Sequence, residues 1–170
     1  VDYILNDEEI SIIVEVLGGV DFAYNCVKKA LESGKHVVTA NKDLLAKHGV
    51  ELSQIARENN VYLYYEASVG GGIPVLRPLV EHVSSNEVEA IYGIVNGTTN
   101  FILTSMSQQG LSYEEVLKTA QEKGFAEADP TSDVEGYDAT YKLIILTRLA
   151  FGTNVSFDAI PKKGITQVTK

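Results

Sequence analysis

The stretch best suited to chemistry is GFAEADPTSDVEGYDATYKLIILTRLAFG, Gly124 to Gly152, where Glu127, Asp129, Asp133, Glu135 and Asp138 are answered by one lysine, Lys142. Asp138 and Lys142 are four residues apart and share a face of any helix containing both. On a solvated surface such a pair is worth only about 0.3–0.5 kcal/mol. This helix has little polar surface, because Leu143, Ile144, Leu146, Leu149 and Ala150 follow. A lysine held there, partly desolvated, can give a proton or a hydrogen bond to an oxygen that is gaining charge. The surrounding carboxylates suit a substrate ammonium group.

A second lysine, Lys42 in the tripeptide ANK, opens a helix, where a cation meets the positive end of the dipole. That mismatch points to a bound anion or carboxylate. VGGGIP (Val69–Pro74) places glycines before a helix, an arrangement that binds anions in some proteins. It lacks the spacing and the Lys-Ser/Thr of a P-loop, and also the order of a dinucleotide fingerprint, so by residue type it is a hinge. His36, His48 and His82 are scattered without metal-ligand spacing. Cys26 lies on an apolar helix stripe as a core residue. No serine or threonine sits in a nucleophile elbow.

The elements that must position these groups alternate at first. SIIVEVL (Ser11–Leu17) is a buried strand by composition and ends at Gly18-Gly19. Asp21 is the expected N-cap of a helix to Ser33, with Phe22, Cys26, Val27, Ala30 and Leu31 as its apolar stripe and Gly34 at the C′ position. Then come a strand at His36–Ala40, a helix from about Asp43 to Glu58 weakened near Gly49, and a strand at Val61–Ala67. Strand-helix alternation of this kind predicts a parallel α/β sheet.

From Gly70 the pattern changes. Pro74 suits the first position of a helix, and Pro78 should kink it or delay its regular start. VEAIYGIV (Val88–Val95) reads as a strand, NGTTN (Asn96–Asn100) as a turn into an apolar helix, and Ser112 with Glu115 as a capping box for a helix closed by Gly124. The last helix is expected from about Gly136 to Phe151. The predicted fold class is α/β: a parallel sheet with helices over residues 1–69, then an α+β part over 70–170 whose mixed sheet is covered by helices.

The 170 residues are 45% hydrophobic and 22% charged, the composition of an ordinary globular protein. A net charge of −9 without a basic cluster argues against nucleic acid and anionic membrane surfaces. One cysteine permits no internal disulfide and favours a reducing, cytoplasmic compartment. No apolar run approaches the length of a membrane span, and no signal peptide is expected.

The spacing of Ala120, Gly124-Phe125-Ala126, Asp129-Pro130, Asp133-Val134, Gly136, Asp138 and Lys142 resembles the signature of the homoserine dehydrogenases. EVLGG (Glu15–Gly19), TANKDLLA (Thr39–Ala46), YEASVGGGIPVLRPL (Tyr64–Leu79) and GIVNGTTNFIL (Gly93–Leu103) resemble further segments of that family in the same order. The resemblance implies NAD(P)-dependent interconversion of L-aspartate 4-semialdehyde and L-homoserine, in threonine, methionine and isoleucine biosynthesis. It implies Lys142 as proton donor to the aldehyde oxygen, oriented by Asp138. Glu127 and Asp133 would hold the amino acid end, with Lys42, Gly97 and Thr98 also at the substrate. Gly18, Gly19, Asn41 and Lys42 would touch the NAD or NADP cofactor. Glu66 and the carbonyls of Val69, Gly71 and Ile73 would surround a sodium-like cation. Asp129 and Glu135 remain solvated loop charges, and Ser132 stands where some members double the aspartate. The resemblance also implies that residues 1–69 are a partial Rossmann-like sheet and 70–170 the substrate part, with a homodimer through the substrate part. GxGxxG is absent, and the resemblance puts it ahead of residue 1; the chain is therefore expected to be an internal fragment, inactive alone. The rival expectation is a non-catalytic α/β binding or dimerisation module.

Overall fold

The computed structural model describes residues 1–169; Lys170, the last residue of the expected substrate part, lies outside the described residues. By its contacts the chain divides into two units, Val1–Glu87 with Ile145–Thr153, and Val88–Ile144 with Asn154–Lys170.

In the first unit a short helix α1 (Asp2–Leu5) precedes β1 (Ile12–Glu15), α2 (Asp21–Glu32), β2 (His36–Thr39), α3 (Lys42–Glu58) and β3 (Leu63–Tyr64). The strands form a parallel sheet in the order β1-β2-β3, with Ile12 opposite His36 and Glu15 opposite Thr39. Two successive crossovers in the same direction place α2 and α3 on one face, as the right-handed rule requires. Ala23, Val27, Ala30 and Leu31 of α2, Leu44 and Leu52 of α3, and Val37 of β2 make the core there. The buried stripe of α2 therefore runs through Ala23 rather than Phe22, which is exposed, and Cys26 is only half-buried. Successive residues on a helix are about 100° apart, so Phe22 falls on the flank of a stripe centred on 23, 27 and 30. Asp21 is the first helical residue and not a cap; the N-cap is Val20. Gly34 takes the left-handed conformation expected after the helix end. The other face of the sheet is open: Ile12, Val14, Val38 and Tyr64 are exposed, although composition predicts burial on both sides. The two crossover helices, α2 and α3, lie on the opposite face.

After β3 a 3-10 turn, Glu66–Ser68, leads through Gly70 and Gly71, both at positive φ, to α4 (Leu76–Val83). Pro74 lies ahead of this helix instead of opening it. Pro78 sits in its first turn, where the missing N–H has no intrahelical partner to lose. The expected delay of the regular start is what the structure shows.

The second unit is helical: α5 (Gly97–Gln109), α6 (Tyr113–Glu122), α7 (Thr131–Val134) and the first half of α8 (Tyr137–Phe151), whose second half belongs to the first unit. Ile102 and Met106 of α5, Val116 and Ala120 of α6, Ala126 and Val134 share one core. The capping box at Ser112 and Glu115 is formed, with both reciprocal bonds present. The expected mixed sheet is not formed among the described residues: Val88–Val95 pairs with no strand, and Tyr92 is 94% exposed. Its apolar alternation marks a strand, but a ladder needs a partner, and the rest of this unit folds as helices and turns.

Candidate active site

The Asp138–Lys142 pair is not a surface ion pair. Lys142 Nζ donates to Asp138 Oδ2 at 2.7 Å and to the Val95 carbonyl at 2.6 Å, with the two side chains only 17% and 7% exposed. Gly136, at positive φ, starts the turn that makes Asp138 the second residue of α8, and the apolar residues beyond it bury the helix. In such surroundings a charge keeps its geometry only if its partners are fixed, and Asp138 is fixed a second time.

The residue that does this, Asn96, was missed in the sequence. Its Nδ2 donates to Asp133 Oδ1 (2.7 Å) and Asp138 Oδ2 (2.8 Å), while its Oδ1 accepts from the Thr99 N–H (2.8 Å) and hydroxyl (2.9 Å). Both hydrogens and both lone pairs of the amide are used, which fixes its orientation. Asn96 is thus the N-cap of α5 and the bridge between two carboxylates 37 and 42 residues further on. The sequence signal was the cap: asparagine ahead of an apolar helix. The bridge has no local signal. The expected turn NGTTN is the first turn of α5 itself.

Asp133, Asp138, Lys142 and Asn96 therefore converge. Gly97, next to Asn96, is exposed at the start of α5, and a Cβ there would meet nothing. The Thr98 hydroxyl donates to the Phe125 carbonyl at 2.7 Å, fastening α5 to the loop that carries Glu127. Glu127 is exposed; its carbonyl accepts from Gln121. Asp129 accepts from the Thr131 N–H and hydroxyl, an exposed turn, and those bonds hold its carboxyl below its usual range. Glu135 lies beside Thr166.

In the first unit, Gly18, Gly19, Asn41 and Lys42 line one open cavity of about 330 Å³ with Glu15, Val16, Ala40 and Asp43. Asn41 is the N-cap of α3, its Oδ1 accepting from the Leu44 N–H at 3.1 Å. That cap puts Lys42 on the first helical residue, at the end of the dipole that attracts anions.

The Glu66 carboxylate is turned to the start of α4, where it accepts from the N–H groups of Val75 (2.6 Å), Leu76 (2.9 Å) and Arg77 (2.8 Å). Desolvation pushes its pKa up, but these backbone bonds outweigh it and leave the group below its ordinary value. Val69 is buried and Ile73 exposed at the turn between. His36 accepts from the Tyr62 N–H and stacks on that ring, a structural role.

The sequence model described as homoserine dehydrogenase matches residues 74–170. The chain belongs to the homoserine dehydrogenase family. The model of the family's NAD binding domain matches residues 1–66, so the three-stranded sheet is part of a Rossmann-type domain. Among relatives, the homoserine dehydrogenase of Bacillus subtilis is 54% identical over 166 residues, 98% of this chain and 38% of that protein. That of Lactococcus lactis is 51% identical over 167 residues, 98% of this chain and 39% of that protein. The chain thus spans under two fifths of the curated relatives it matches. The crystal structure of a homoserine dehydrogenase from Thiobacillus denitrificans superposes with a TM-score of 0.93 at 47% identity, covering 97% of this chain and 38% of that one. A hyperthermophilic archaeal homoserine dehydrogenase in complex with NADPH has a TM-score of 0.87 at 33% identity, covering 98% and 51%.

Proposed function

We propose that this chain carries the catalytic lysine and part of the cofactor cavity of an NAD(P)-dependent homoserine dehydrogenase, which interconverts L-aspartate 4-semialdehyde and L-homoserine. The observation that carries this reading is the buried Lys142–Asp138 pair held by Asn96. Two of the three Lys142 N–H donors are spent on Val95 and Asp138, which aims the ammonium and leaves the third for the aldehyde oxygen. A bound nicotinamide would supply the hydride. Lys142 would give its proton to the aldehyde oxygen as that oxygen gains charge, and in homoserine oxidation it would take the proton back. Asp138 orients the lysine. Glu127 and Asp133 bind the substrate ammonium, and Gly97 and Thr98 border the same end. Gly18, Gly19, Asn41 and Lys42 hold the dinucleotide, either NAD or NADP, with Lys42 reaching the substrate too.

The same proposal divides the labour between residues 1–69 for cofactor and 70–170 for substrate. A sodium-like cation at Glu66, Val69, Gly71 and Ile73 is supported by the ionised carboxylate, whose roughly four lone-pair positions exceed the three N–H groups it serves. A homodimer is supported by the exposed apolar residues Ile91, Tyr92 and Ile94. The lone cysteine, with no described helix long and apolar enough to cross a membrane, supports a cytoplasmic enzyme of threonine and methionine biosynthesis. Membership of the homoserine dehydrogenase family favours this reading over a non-catalytic module.

The test is Lys142→Ala in a full-length family enzyme carrying this chain, assayed by steady-state homoserine oxidation with cofactor binding measured separately. Turnover should fall by about 10²–10⁴-fold, the usual worth of a general acid, with cofactor affinity nearly unchanged. Near-normal turnover would overturn the assignment.

A further inference from the structure

Glu15 is a buried carboxylate that the proposed chemistry does not use. In β1 the inward positions are Ile13 and Glu15, so a charge stands where the sheet needs only an apolar side chain; Glu15 is 3% exposed. Its cross-strand partner Thr39 is also 3% exposed. A hydrophobic pair would be the cheaper choice for stability, since a buried charge is costly unless its bonds are complete.

The bonds lead to the cofactor cavity. The Thr39 hydroxyl donates to Glu15 Oε2 at 2.5 Å, and the Leu17 N–H donates to Oε1 at 2.7 Å. Thr39 Oγ1 accepts from the Asn41 N–H at 3.0 Å, and Asn41 Nδ2 donates to the Gly19 carbonyl at 2.6 Å. The circuit closes on itself across the ends of β1 and β2. A carboxylate only accepts, so the threonine must spend its single hydrogen on Glu15 and offer its lone pairs to Asn41. Of the groups in the circuit only the threonine hydroxyl can point either way, and the carboxylate fixes it.

We infer that Glu15 is a positioning residue for the dinucleotide: through Thr39 and Asn41 it sets the loop carrying Gly18-Gly19 and the helix start carrying Lys42 in their binding arrangement. This rests on the reading of that cavity as the cofactor site. Glu15 acts from the cavity floor, by holding the two loops in register before the ligand arrives, the benefit of preorganisation.

Glu15→Met keeps the length of the side chain but offers no comparable acceptor, so the Leu17 N–H and the Thr39 hydroxyl both lose their partner. Thr39→Val removes the relay, and Thr39→Ser restores it. The experiment titrates NADPH and NADH fluorescence against a full-length family enzyme carrying this chain, with apo melting temperatures and steady-state kinetics for each variant. We expect Glu15→Met and Thr39→Val each to weaken dinucleotide binding at least about tenfold, the net worth of one hydrogen bond. KM for the dinucleotide should rise more than kcat falls, Thr39→Ser should bind as the parent does, and the double variant should lose little beyond either single one. Unchanged affinity in both single variants overturns the inference and leaves the cofactor site standing. So does a loss that Thr39→Ser does not rescue, or one that merely follows a fall in apo melting temperature. A parent protein that binds neither nucleotide overturns the cofactor reading and the inference together.

Discussion

Asn96 shows how much one amide can organise. It caps α5 and holds Asp133 and Asp138 on the same Nδ2. Aspartate caps helices as well as asparagine does. Asn96→Asp should therefore leave α5 and its helical circular dichroism intact while setting a third carboxylate between two others. We expect kcat/KM for homoserine to fall at least about tenfold, because like charges at contact distance displace Asp138 from Lys142. Steady-state kinetics with the dichroism spectrum as control checks this; unaltered kinetics would mean that the bridge does not serve the site. Lys142→Arg keeps the charge but releases a proton far less readily, so it should not restore full turnover in the same assay.

At the scale of elements, Glu66 replaces a side-chain cap. Val75, the N-cap of α4, has no side-chain oxygen to offer, and the carboxylate nine residues earlier serves three N–H groups. Its folded pKa lies below the unfolded value, so its contribution is present above the unfolded pKa and is lost as pH falls through the folded one. Melting curves should show a steeper loss of stability below about pH 4.5, the ordinary carboxylate range. Glu66→Gln should be less stable than the parent at pH 7 and should converge with it in acid. Parallel pH profiles would show that the carboxylate does not stabilise α4.

Over the whole molecule, the chain returns to its first unit after building the second, and Arg148 of α8 anchors that return. Its guanidinium donates to the carbonyls of Leu45 (2.9 Å) and Ala46 (3.4 Å), and burial lowers its pKa. The approach explains Gly49 in mid-helix: a Cβ there would collide with the Arg148 guanidinium. Arg148→Met should destabilise the chain by about 2 kcal/mol, the scale of hydrogen bonds from a charged donor, measured by urea unfolding. An unchanged midpoint would mean that these bonds hold nothing.

By itself the sequence determined the strand-helix alternation of residues 11–67, the caps at Ser112, Gly34 and Gly124, and the spacing from Ala120 to Lys142, because each depends on residues close in the chain. Period, cap chemistry and i,i+4 geometry are local, and they survive without knowledge of neighbours. The tertiary structure decided that Asp138 and Lys142 are buried, that Asn96 joins carboxylates 37 and 42 residues away, and that Glu15 and Thr39 meet across two strands. It also decided that, among the described residues, Val88–Val95 stays unpaired and one face of the sheet is open. Those outcomes depend on which partners arrive from distant parts of the chain. A strand pattern cannot specify a ladder without its neighbour, and no local signal tells a side chain whether its partner is water or another residue.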